Sequence, residues 1–71
     1  MAFIDSEIRN LIFAMNNNAS FFTSKVIKMY SKEEIKALIR KIKFELVTTI
    51  MNDDDADELF LLKLSLENAL N

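Results

Sequence analysis

The segment from Asn52 to Glu58, NDDDADE, sets five carboxylates within seven positions, the densest set of groups capable of chemistry in this 71-residue chain. Paired carboxylates serve acid–base catalysis or hold hard cations when they converge on a cleft. A calcium loop alternates oxygen ligands, turns sharply at a Gly and ends on a distal Glu; the alternation, the Gly and the spacing are all missing here. The chain has no His and no Cys. It therefore lacks the ordinary neutral-pH proton-transfer group, the strongest nucleophile and any thiolate metal ligand. A Ser nucleophile would need a Lys or carboxylate partner in a cleft, which a few short helices do not form. The run reads instead as a solvated helix N-terminus, where negative charge is favoured. The expectation is a non-enzyme with no catalytic residue, cofactor, metal or small-molecule substrate.

The elements around this run are helical by their apolar spacing. Gly and Pro are both absent, which disfavours hairpins whose two-residue turns rely on Gly. Ile4, Ile8, Leu11, Ile12 and Met15 follow the spacing of one helix face. Asn16 to Asn18 then break the pattern, as residues suited to a left-handed C-cap. A short helix follows, with Phe22, Val26, Met29 and Tyr30 on one side and Ser20 as N-cap. Ser31 and Glu34 form a capping box, and Tyr30 with Ile35 has the spacing of a hydrophobic staple. The helix they open carries Ile35, Leu38, Ile39, Ile42 and Leu46 on one face and should end near Asn52. Asp55 and Glu58 repeat the box geometry before a last helix with Leu59, Leu62, Leu66 and Ala69. The fold class expected is all-α: a single domain over residues 1–71, a bundle of three to four helices at about 4–16, 19–30, 31–52 and 55–70.

Charge separates along the chain. Between Lys25 and Lys43, seven cations (Lys25, Lys28, Lys32, Lys36, Arg40, Lys41 and Lys43) face two acids, Glu33 and Glu34. From Phe44 onward, Lys63 alone faces seven acids, and the whole chain is at −2. A basic helix preceded by a short one suggests a helix-turn-helix pair with its cations on phosphates, hence a small DNA-binding regulator as the alternative function. The acidic overall balance and the lack of an Arg, Asn or Gln cluster for base reading weigh against it. The basic and acidic helices lying side by side in one bundle would also account for the pattern. An anionic membrane surface is not an expected partner, since Glu33, Glu34 and Glu45 interrupt the basic stripe.

Hydrophobic residues make up 51% of the chain, and a domain of this size buries only a modest share of its surface. Projection at 100° per residue puts Phe60, Leu61 and Leu64 across the last helix from its Leu59–Leu62–Leu66 side. Phe44, Val47 and Met51 stand opposite or oblique to the Leu38–Ile42–Leu46 seam. These six residues are the expected protein interface, with Phe44 and Phe60 as aromatic anchors. The functional expectation is a small helical protein–protein interaction module acting as adaptor, inhibitor or regulatory subunit. It is expected to be homodimeric, because a self-complementary patch closes a two-fold contact, or to seat on another protein. No apolar run reaches membrane-spanning length and the N-terminus bears Asp5 and Glu7, so a cytoplasmic location is expected.

Overall fold

The computed structural model describes residues 5–70 and contains four helices: α1 (Ser6–Asn17), α2 (Ala19–Met29), α3 (Lys32–Thr48) and α4 (Asp53–Ala69). Among the described residues there is no strand. The all-α bundle expected from the spacing is the observed architecture; Ile4 lies outside the described residues.

Three of the four helix starts have a side-chain cap. Asp5 caps α1, its Oδ1 accepting the backbone N–H of Glu7 at 2.9 Å and of Ile8 at 3.2 Å. Ser31 caps α3 through the full capping box: its Oγ accepts the Glu34 N–H at 3.2 Å, and its own N–H donates to Glu34 Oε1 at 2.8 Å. Such a cap contributes roughly 1 kcal/mol. The start of α4 differs from the sequence reading. Asn52, not Asp55, is the N-cap, and its Oδ1 accepts the Asp55 N–H at 2.8 Å. An amide oxygen three residues ahead of a free N–H meets the same need as an Asp would, one turn earlier.

Three further expectations are corrected. Helix α3 stops at Thr48, short of Asn52, where Val47-Thr48-Thr49-Ile50 stacks four β-branched residues of low helix propensity. Ser20 does not cap α2; Asn18 occupies that position, without a side-chain bond. Nor is there a left-handed C-cap at the asparagines. Asn18 has φ −155° and ψ 79°, and no described residue has positive φ. The α1–α2 junction turns at Asn18 with a negative φ instead.

One cluster of buried side chains joins all four helices. Ile8, Leu11, Ile12 and Met15 come from α1, Phe22 and Val26 from α2, Ile35, Leu38, Ile39 and Ile42 from α3, and Leu59, Leu62, Leu66 and Ala69 from α4. Helix α4 is the hub, packing against each of the others, and its longest contact is with α3. Only Thr49–Asn52 joins these two helices, so they form an antiparallel hairpin. Polar contacts fix α1 on α4: Asn16 Nδ2 donates to Glu58 Oε2 at 3.4 Å, and Ser65 Oγ lies 3.5 Å from Met15 Sδ. Met29 is corrected too. It shares a projected face with Phe22 and Val26 but is exposed, because it ends α2 and Tyr30 takes the place against the core.

Candidate protein interface on the α3–α4 hairpin

Because one face of α4 makes its buried contacts, the opposite face stays outside. Leu59, Leu62 and Leu66 have no accessible surface, whereas Phe60 is 48% exposed, Leu61 53% and Leu64 39%. On α3, Phe44 is 66% exposed and Val47 82%. Five of the six expected interface residues are therefore accessible in the folded chain. Met51 is not one of them. With α3 ending at Thr48, Met51 belongs to the connection, immediately before the Asn52 cap, and packs half-buried against the core.

Local chemistry orients the outward side chains. Lys63 Nζ stands 5.1 Å from the centroid of the Phe60 ring and 3.5 Å from Glu67 Oε1, a cation held over an aromatic face. Thr48 Oγ1 donates to the Phe44 carbonyl at 2.6 Å, closing the last turn that carries Phe44 and Val47. The exposed fractions of the five residues amount to roughly 500 Å² of apolar side chain, at the upper end of the patches that monomers tolerate.

The basic residues do not act as one group. Lys41 turns to the N-terminus of α1, where its Nζ lies 2.8 Å from Asp5 Oδ2. That ion pair, with the two backbone N–H donors, holds the Asp5 carboxyl below its usual range against an opposing effect of burial. The same contact raises the Lys41 ammonium. Lys25 and Lys28 lie exposed on α2, and Lys32, Lys36, Arg40 and Lys43 on α3. Lys36 makes a long 3.9 Å contact with Glu33 of its own helix. Helix α2 packs chiefly on α4 and α1, not on α3, so α2 and α3 do not form a compact helix-turn-helix unit.

Nor do the acidic and basic segments neutralise each other across the hairpin. Among the described residues, no cation of α3 pairs with a carboxylate of α4. The antiparallel course explains this: the acids at the start of α4 sit beside the end of α3, beyond its last cation, Lys43. Among the described residues, no three acidic side chains gather closely enough to hold a metal ion, and no helix is long and apolar enough to cross a membrane.

Sequence reasoning missed a second accessible aromatic pair. Phe13 of α1 and Phe21 of α2 flank a groove of about 460 Å³, together with Asn17, Asn18 and Lys25. Projection of α1 alone puts Phe13 opposite Leu11 and Met15 and would have found it. Glu45 carries the one buried side-chain oxygen, Oε2, without a hydrogen-bond partner among the described residues. Comparison with protein-family models, with curated proteins and with solved structures finds no match to this chain.

Proposed function

We propose that the protein is a non-catalytic interaction module of the cytoplasm that works by burying the outward faces of α3 and α4 against a second chain, most simply another copy of itself. The observation that carries this reading is the exposure of Phe44, Val47, Phe60, Leu61 and Leu64 on a folded chain whose other helices are already engaged with the core. An apolar face of this size on so small a domain favours association. Two copies together would remove on the order of 1,000 Å² of apolar side chain from water, the area at which specific interfaces begin. Adaptor, inhibitor and regulatory subunit are the roles such a module fills, since its effect comes from occluding or bridging a partner.

Sedimentation equilibrium at micromolar concentration tests the homodimer. The wild type is expected to be dimeric, and Phe60→Asp to weaken association at least about 10-fold while leaving the helical circular dichroism intact. A monomeric wild type unaffected by Phe60→Asp would overturn the self-association reading.

A second reading is favoured by one observation, the clustering of Lys32, Lys36, Arg40 and Lys43 on the solvent side of α3. Such a stripe is suited to the phosphates of a duplex. A mobility-shift titration in rising salt decides it: binding at low salt that falls steeply with salt supports it, and no binding to any duplex eliminates it.

A further inference from the structure

Helices α1 and α2 are joined through Asn18 alone and pack on each other. Their outward faces carry a second surface, built from other residues than the α3–α4 patch. At 100° per residue, Asn10, Phe13 and Asn17 fall within about 60° on α1, and Phe21, Lys25 and Lys28 within about 60° on α2. All six are exposed. The groove of about 460 Å³ between the helices is lined by Phe13, Phe21 and Lys25 and by the amides of Asn10, Asn17 and Asn18. Phe13 is 68% exposed and Phe21 66%, two rings that the core does not use. No carboxylate lines the groove among the described residues, and α2 carries two cations and no acid. Lys25 makes no ion pair among the described residues. There the Asn10, Asn17 and Asn18 side chains likewise make no hydrogen bond. Glu7 and Glu58 line adjoining hollows, where they accept hydrogen bonds from Tyr30 and Asn16.

We propose that this groove binds a single strand of nucleic acid, with bases stacked on Phe13 and Phe21 and phosphates drawn to Lys25 and Lys28. Each part of the surface matches one part of that ligand. An exposed aromatic face stacks on any base. A carboxamide offers a donor and an acceptor side by side, the pattern that a base edge presents. An ammonium neutralises a phosphate and releases its counterion. In a duplex the base faces are hidden within the stack, so the rings select a single strand. An acidic peptide would satisfy the two lysines, but its carboxylates give the rings no flat face to stack on. The site is independent of the self-association proposed for α3 and α4. It is also distinct from the duplex reading of the α3 stripe, whose cations lie on another helix.

Fluorescence anisotropy with the whole chain tests the groove, using labelled oligo-uridine and oligo-thymidine strands of about 12 nucleotides. A duplex of the same length and a poly-glutamate peptide are titrated beside them. The single strands are expected to bind more tightly than the duplex. Phe13→Ala and Phe21→Ala should each weaken that binding about 5- to 100-fold. Phe13→Tyr and Phe21→Tyr keep a stacking face and should retain it, which guards against a loss caused by misfolding. Ile27→Ala, which trims an exposed apolar side chain of α2 on the side away from the groove, should change nothing. Lys25→Gln should lower the slope of log affinity against log salt by about 0.7. No single-strand binding at low salt overturns the proposal. So does equal affinity for strand and duplex, or binding that both alanine variants leave intact. Binding of poly-glutamate in place of the strands, lost on Phe13→Ala, would overturn it too and assign the groove to an acidic peptide.

Discussion

The two faces of α4 are built from nearly the same residues and meet opposite fates. Leu59, Leu62 and Leu66 are fully enclosed, while Phe60, Leu61 and Leu64, interleaved with them, face outward. Composition does not distinguish the faces; the position of the other helices does. Helix α4 takes contacts from α1, α2 and α3 on one side, and among the described residues no other element covers the opposite side. Apolar content alone therefore says how much surface seeks cover, not whether the same chain supplies it.

The sharpest way to break this comparison is to make the same substitution on both faces. Leu62→Ala should cost roughly 2–5 kcal/mol in urea unfolding, through lost burial plus the cavity left behind. On a domain this small, that is a large part of total stability. Leu64→Ala, measured at concentrations too low for association, should cost less than about 1 kcal/mol. Equal losses at the two positions would mean that Leu64 is as much a part of the fold as Leu62.

A smaller effect concerns what sets the faces apart. Asn52 fixes where α4 begins, immediately after the half-buried Met51. Asn52→Ala and Ser31→Ala should each cost about 1 kcal/mol by loss of a cap. Ser20→Ala should stay within about 0.5 kcal/mol, since Ser20 is exposed inside α2 and caps nothing. Thermal unfolding of the three variants ranks them, and a Ser20→Ala as costly as Ser31→Ala would contradict the assignment of Asn18 to the α2 cap.

These caps also mark what was legible in the sequence. The inward faces followed from 3.6-residue spacing, Met29 of α2 excepted, because burial selects residue types at each such position. The Ser31–Glu34 box was legible because both partners are local and chemically distinctive. The ends of α3 and α4 were less so. Asn52 and Asp55 are both good caps, and the choice between them depends on where a β-branched run stops propagating α3. Met51 was misplaced for that reason: projection assumes a helix, and the helix had already ended. The two accessible stripes were visible as apolar residues across from the core.

The smallest effect belongs to the ion pair that ties α3 to the start of α1, Lys41 with Asp5. Lys41 is about half exposed, so solvent screens the pair, and Lys41→Met should cost roughly 0.5 kcal/mol near neutral pH. Its pH signature is more telling than its size. The Asp5 carboxyl is lowered in the folded chain, so its contribution is present above the ordinary carboxylate pKa and is lost as pH falls through the folded value. The Lys41 ammonium is raised, so its contribution is present below the ordinary lysine pKa and is lost as pH rises through the folded value. Tyr30, raised by burial and by Glu7, which accepts from its hydroxyl at 3.3 Å, loses stability over the same alkaline range. The alkaline arm therefore mixes two groups, and the acid arm is the diagnostic one. Lys41→Met should flatten the fall in unfolding free energy below the ordinary carboxylate range relative to wild type, less so in high salt. Part of the acid arm should survive, because the Glu7 and Ile8 N–H groups still favour an ionised Asp5. An acid arm unchanged by Lys41→Met would assign the whole lowering to those backbone donors and leave the ion pair without a role in holding α3 to α1.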